Sequence, residues 1–232
     1  MNNFYLVPPQ VYYNINKNDG DHMLLEFLTS TGITLLVTLD PPGMAPIFLS
    51  LTMGMNADER KRVATRASLI AFCIMVFFAI GGDVLLRALG ISLPAFRIAG
   101  GILLFSIAFE MVFELRSKRK TTTARIAITE DHIHNVAAFP LAIPLMAGPG
   151  TITAVILLAG RSGGQLPLIL ILAAMIALVV LTCLIMFLMA ERVSRWLGIT
   201  GNVVLTRLLG VILSALAIQF VIDGVKQIVA GG

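Results

Sequence analysis

The chain has 232 residues, of which 57% are hydrophobic and 13% are charged, and its formal net charge at pH 7 is +4. Soluble domains usually carry about a quarter charged residues, so this composition excludes a water-soluble globular protein. Nucleic-acid binding is not expected, because the basic residues lie between apolar segments and form no stripe interleaved with aromatic residues.

Six apolar segments are long enough to cross a membrane. Segment 166–190 contains no charged side chain, and at about 1.5 Å per residue it spans a hydrocarbon core of about 30 Å. In chain order, the predicted spans are 24–51, 67–86, 93–113, 136–159, 166–190 and 203–225. The sequence therefore predicts an all-α membrane protein with six transmembrane helices.

Proline and glycine interrupt the first and fourth predicted spans. The two triplets are Pro41-Pro42-Gly43 and Gly148-Pro149-Gly150. Proline removes a helical hydrogen-bond donor, and backbone groups freed in hydrocarbon must be buried in protein or line a wet cavity. Half-helices restarting over 44–51 and 151–159 would have positive N-terminal ends near the membrane midplane, where a carboxylate binds well. The alternative is that both triplets are ordinary kinks with glycines for close packing.

Asp40 directly precedes the first interruption, at a depth where an unpaired carboxylate is costly. It could pair with a substrate ammonium, accept a coupling proton, bind Na⁺, or cap the half-helix that follows. The predicted substrate-binding residues surround both interruptions and are Asp40, Pro41, Pro42, Gly43, Ala147, Gly148, Pro149, Gly150 and Thr151.

The two halves of the chain resemble each other. LGIS at 89–92 precedes the third span, LGIT at 197–200 precedes the sixth, and the pattern R-x-x-G-x-I-L begins at Arg97 and at Arg207. Because each half has three spans, the second enters the membrane from the opposite side, as in inverted-repeat secondary transporters. Arg97 and Arg207 are predicted gating residues; the alternative is that they extend to lipid head groups. Their possible partners are Asp83, Glu110 and Asp223.

The basic residues predict the orientation of the spans. The loops after spans one, three and five hold eleven Lys and Arg, whereas the opposite side holds four. Both termini are therefore predicted to be extracytoplasmic. The predicted organisation is an extracytoplasmic N-terminal segment (1–23), a first three-helix repeat (24–113), a cytoplasmic connector (114–135) and a second three-helix repeat (136–232). The connector is expected to touch anionic lipid, and no site is predicted in it.

Four stretches of the chain resemble the MarC family of integral membrane proteins. They are DPPGMAPIFLSLT (40–52), FRIAGGILLFSIAFEM (96–111), PLAIPLMAGPGTITAVI (140–156) and TRLLGVILSALAIQFVIDGV (206–225). The resemblance covers 24–229 and implies a multi-pass protein of the plasma (inner) membrane. It also implies ion-driven transport of small neutral amino acids such as glycine or alanine, in at least some members. Many members carry asparagine at the place of Asp40.

We therefore expect a secondary transporter that binds a small zwitterion and a coupling ion, proton or sodium, with no cofactor, catalytic residue or metal site. An intramembrane serine hydrolase is not expected, because all three histidines lie outside the predicted spans. The alternatives are a structural or regulatory membrane protein without a transported substrate, and an exporter of another small solute.

The predicted orientation can be tested by labelling introduced cysteines. Because both termini are predicted outside the cytoplasm, Asn2→Cys and Gly232→Cys should react with impermeant thiol reagents in intact cells. Lys118→Cys, in the connector, should react only after the cells are permeabilised. If only Lys118→Cys is labelled in intact cells, the orientation is the opposite of the predicted one.

Overall fold

The computed structural model describes residues 17–116, 119–122 and 136–231. The predicted N-terminal segment up to residue 16, most of the connector and the last residue, Gly232, lie outside the described residues. The described part contains no strand. Its principal helices are α1 (Lys17–Leu39), α2 (Pro41–Leu51), α3 (Ala57–Ala88), α4 (Leu93–Val112), α5 (Ala137–Met146), α6 (Pro149–Arg161), α7 (Leu166–Leu188) and α8 (Ala190–Gly231). Residues 119–122 are helical as well.

Five stretches of the described residues are long and apolar enough to cross a membrane. They are Leu24–Leu51, Ala57–Ala88, Leu93–Val112, Leu166–Leu188 and Thr200–Ala230. Helices α5 and α6 are bent by 57° at their junction and form a sixth span if the pair is counted as one. The prediction of an all-α membrane protein is confirmed, with five to six candidate spans.

A single residue, Asp40, separates α1 from α2. Its backbone is left-handed, with φ 58° and ψ 62°. Helix was predicted to resume only at residue 44, but α2 begins at Pro41 and both prolines lie in its first turn. Proline suits this position because the first turn needs no N–H donor and the fixed φ of proline is already helical. The interruption is therefore shorter than predicted.

The chain before α6 is less regular than predicted. Phe139 and Ile143, inside α5, have extended backbones with φ/ψ of −133°/128° and −125°/124°. Each stands before a proline, Pro140 or Pro144, whose ring disfavours helical conformation in the preceding residue. These two distortions were not predicted from the sequence. Helix α5 is therefore a short, irregular helix that ends just before the Gly148-Pro149-Gly150 triplet.

The principal helix contacts join one half of the chain to the other. Helix α3 packs against α5, α6 and α7; α7 packs against α1 and α2; and α4 runs along α8 over the most extensive contact of the described residues. Glycines line this last contact. A Cβ on Gly101 would lie 2.7 Å from the Ala217 carbonyl oxygen, and a Cβ on Gly210 would lie 3.1 Å from that of Ala108. Small residues let two helix backbones approach closely in a membrane.

The α4–α8 contact predicts different effects on stability for two alanine substitutions. Gly101→Ala should lower the unfolding temperature in detergent by several degrees, because the new methyl group meets α8 backbone and overpacking costs about 1–3 kcal/mol. Gly81→Ala is the control, because a Cβ there meets no atom within 4 Å. It should leave the unfolding temperature unchanged or raise it, since alanine favours helix. Equal effects would contradict the close approach of α4 and α8.

Candidate functional site

The interruption after α1 brings Asp40 into contact with the connector. Asp40 Oδ1 accepts a hydrogen bond of 3.2 Å from the Gly43 N–H, and Oδ2 lies 3.5 Å from Lys120 Nζ. Asp40 is 3% exposed and Lys120 is 7% exposed. Asp40 therefore caps α2 and also forms a buried ion pair. Of the roles considered from the sequence, the cap is observed, and the cationic partner comes from the protein itself.

Lys120 lies outside the five candidate spans, yet the folded chain encloses it. Burial, reinforced by the Arg116 guanidinium, lowers the pKa of Lys120 to about 8, while the Asp40 carboxylate opposes this shift. The ammonium therefore remains largely protonated at neutral pH.

Arg116, four residues before Lys120, is a second buried cation from the connector. Its Nη2 donates a hydrogen bond of 2.5 Å to the Thr38 carbonyl, and its Nη1 donates to Met111 Sδ at 2.9 Å. The last carbonyls of a helix have no partner within the helix, and α1 ends at Leu39. Arg116 thus satisfies a backbone group next to the interruption. No site was predicted in the connector, so both cations were missed.

The second interruption leaves the N-terminus of α6 without a side-chain cap. Gly148 occupies the cap position, and the first helical hydrogen bond runs from the Ile152 N–H to the Gly148 carbonyl at 2.9 Å. A Cβ on Gly148 would lie 2.4 Å from the Pro144 carbonyl oxygen, and one on Gly150 would lie 2.1 Å from Ile107 Cδ1. The glycines therefore let α5 and α4 approach this helix end.

A cavity of about 300 Å³ lies between the second interruption, α4 and the connector. The cavity is lined by Leu103, Ser106, Ile107, Arg116, Arg119, Lys120, Pro144, Leu145, Gly148, Pro149, Gly150 and Thr151. Lys120 pairs with Asp40, and Arg119 Nη1 lies 2.8 Å from Glu110 Oε1. Within the described residues, three cations thus stand against two carboxylates. The positive end of α6 adds to this excess, so the cavity suits an anionic group.

The other predicted binding residues do not line this cavity. Pro41 is buried at the start of α2, and the Ala147 N–H closes α5 by donating to the Ala142 carbonyl. Pro42 instead lines a second cavity of about 420 Å³ between α2 and the beginning of α8. The two interruptions thus meet through Lys120, which contacts Asp40 and lines the cavity next to α6.

The two predicted gating arginines lie near opposite ends of α4: Arg97 belongs to α4 itself, and Arg207 belongs to α8. Arg97 is buried and donates a hydrogen bond of 3.3 Å from Nη2 to the Gly160 carbonyl. Arg207 Nη2 lies 3.0 Å from Glu114 Oε2, just beyond the last turn of α4. The partners considered from the sequence are engaged elsewhere: Asp83 with Arg87, Glu110 with Arg119, and Asp223 with Arg161.

The five to six long apolar helices define a multi-pass integral membrane protein. The chain matches the model of the MarC family integral membrane protein over residues 25–229. It belongs to the MarC family.

Several relatives match along nearly their whole length. A UPF0056 membrane protein of Aquifex aeolicus is 38% identical over 198 residues, which cover 84% of this chain and 91% of the relative. One from Archaeoglobus fulgidus is 35% identical, covering 88% and 94%. The UPF0056 membrane protein YhcE of Escherichia coli is 36% identical, covering 86% and 92%. No solved structure matches the chain significantly.

The glycine beside Asp40 provides a test of the buried ion pair. A Cβ on Gly43 would lie 2.3 Å from Asp40 Oδ2 and 2.8 Å from Oδ1. Gly43→Ala should therefore displace the carboxylate, remove the cap of α2 and leave Lys120 without its partner. We expect a loss of stability of about 3–5 kcal/mol, typical of breaking a buried pair. We also expect Lys120 to react with an amine-specific reagent, measured by mass spectrometry.

Gly150→Ala is the matched control at the other interruption. Its methyl group would meet the flexible end of Ile107 and leave Asp40 in place. Lys120 should remain unreactive in this variant. If Lys120 is as unreactive in Gly43→Ala as in Gly150→Ala, the ion pair does not require the absence of a side chain at residue 43.

Proposed function

We propose that the protein is a secondary transporter of small neutral amino acids, of the size of glycine or alanine, in the plasma membrane. The observation that carries this proposal is the cavity in which an uncapped helix N-terminus meets three cations. Its volume of about 300 Å³ lies at the lower end of the range for small-molecule sites, which favours a small solute. The proposed function includes no catalytic step, no cofactor and no resident metal ion; a sodium ion would take part only as a coupling ion.

The two ends of a zwitterion would meet different groups of this cavity. The substrate carboxylate would accept hydrogen bonds from the N–H groups at the start of α6 and face Lys120. The ammonium would lie toward Glu110, which follows Ser106 by one turn on the same face of α4. Glu110 Oε2 is buried and has no hydrogen-bond partner among the described residues, which supports its assignment as the ammonium acceptor.

Asp40 would act on the substrate indirectly. Its carboxylate already caps α2 and pairs with Lys120, so direct pairing with the substrate ammonium is less favoured than it was from the sequence alone. We propose that Asp40 holds Lys120 beside the cavity and that binding of the coupling ion, proton or sodium, at Asp40 alters this pair. Arg97 and Arg207 would close the cavity at opposite ends of α4.

The packing of the helices supports two inverted halves. Helix α3 is the second span of the first half, and α7 is the second span of the second half. In a protein with two equivalent halves, the contacts of α3 should therefore mirror those of α7. Helix α3 packs against α5, α6 and α7, and α7 correspondingly packs against α1, α2 and α3. Helices α4 and α8, the two R-x-x-G helices, pack against each other. This pattern is expected of an approximate two-fold axis in the membrane plane. With both termini extracytoplasmic, α2 and α6 would run toward opposite membrane faces from the midplane.

Flux of radiolabelled glycine and alanine into proteoliposomes tests the proposed function. We expect uptake to increase when a proton or sodium gradient is imposed. Lys120→Met should weaken substrate affinity about 10- to 100-fold, because a charge-assisted hydrogen bond contributes ~1.5–3 kcal/mol. Asp40→Asn should weaken affinity less, since the lysine remains, but should reduce the response to the ion gradient.

Lys226→Met serves as the control, because Lys226 is exposed near the end of α8. It should transport like the unmodified protein. If folded protein moves neither amino acid under any gradient, the transporter assignment is wrong. A structural or regulatory role, or export of another solute, would then take its place. Unchanged affinity in Lys120→Met would remove the cavity from the substrate path.

A further inference from the structure

A separate cavity of about 330 Å³ lies where α3 begins and α7 ends. Three cationic side chains contribute to its lining: Arg60 and Lys61 from the first turns of α3, and Arg192 from the start of α8. Phe48 and Phe187 line it as well, with ring centroids 4.7 Å apart in a stacked arrangement. It shares no lining residue with the cavity beside α6.

The charges around this cavity are not balanced. Arg60 Nη1 lies 2.6 Å from Glu191 Oε1, and Glu191 Oε2 also lies 3.7 Å from Arg195. Lys61 and Arg192 are exposed and form no ion pair within the described part of the chain. The lining thus has three cations and one carboxylate. A ligand with at least one negative charge would complement them.

The rest of the lining is apolar and continues onto the lateral surface of the bundle. Phe48 and Phe187 are each 2% exposed, whereas Leu188 and Met189 are 53% and 42% exposed. Leu188 ends an apolar candidate span, so its side chain lies at the edge of the hydrocarbon region. The cavity therefore joins unpaired cations to a surface that acyl chains cover.

We propose that this cavity binds an anionic phospholipid. The phosphate would lie between Lys61 and Arg192, and the acyl chains would follow Leu188 and Met189. A soluble anion would use the cations but gain nothing from the apolar lining. A zwitterionic phospholipid would bring a quaternary ammonium that offsets the charge of its phosphate and is repelled by the cations. Basic pockets between transmembrane helices bind anionic head groups for this reason. The site is independent of the proposed transport function, because it involves different residues.

Lipid binding to the purified protein in a neutral detergent tests the site. Phosphatidylglycerol and phosphatidylcholine with identical acyl chains are titrated separately, and bound lipid is counted by native mass spectrometry. We expect phosphatidylglycerol to bind at least ten-fold more tightly, and raised salt to weaken its binding. The double variant Lys61→Gln/Arg192→Gln should lose this preference.

Arg62→Gln/Arg66→Gln is the matched control. It removes two cations from the same end of α3, and neither residue lines the cavity. Its preference for phosphatidylglycerol should change less than two-fold. Equal binding of the two lipids by the unmodified protein would overturn the proposal, and so would an equal loss of the phosphatidylglycerol preference in both double variants. In a third measurement, glycerol phosphate is titrated alone. The proposal is also wrong if glycerol phosphate raises the unfolding temperature as much as phosphatidylglycerol does. The lipid comparison and the glycerol phosphate titration use unmodified protein, so the test stands even if one variant does not fold.

Discussion

A buried ion pair joins two parts of the chain that composition alone would separate. Asp40 belongs to an apolar span and Lys120 to a basic connector, yet their charged atoms lie 3.5 Å apart and both side chains are nearly inaccessible. Either charge alone would be costly in this environment, whereas each offsets the burial of the other. The pair also brings Arg116 to the freed Thr38 carbonyl. The cap of α2, the ion pair and the lining of the charged cavity thus share residues and form one connected set of contacts.

The two interruptions resemble each other in sequence but are completed differently. At the first, the Asp40 side chain caps α2 and Lys120 neutralises the cap. At the second, Gly148 offers no side chain, and the close approach of Pro144 leaves no room for one. The N–H groups at the start of α6 therefore face a cavity, whereas those of α2 are capped by Asp40. The cavity with excess positive charge thus lies beside the interruption that has no side-chain cap.

The sequence predicted the features that depend on composition and missed those that depend on long-range contact. Apolar length identified the spans, and proline and glycine identified the two interruptions. The start of α2 was misplaced because proline was treated only as a helix breaker, although it is also favoured in a first turn. Lys120 was missed because a run of basic residues between spans ordinarily lies in water. A signal was nevertheless present: a carboxylate as deep as Asp40 needs a cation, and no predicted span near it supplied one.

The burial of connector residues bears on the orientation of the chain, because the positive-inside comparison assumes that the counted cations lie in loops. Arg116 and Lys120 are both buried and act within the protein. Without them, the eleven basic residues on the predicted cytoplasmic side become nine, against four on the other side. The asymmetry remains more than two-fold, so the predicted orientation does not depend on these two buried residues. The same basic segments thus contain cations that the protein buries, Arg116 and Lys120, and cations that remain exposed, such as Lys61 and Arg192.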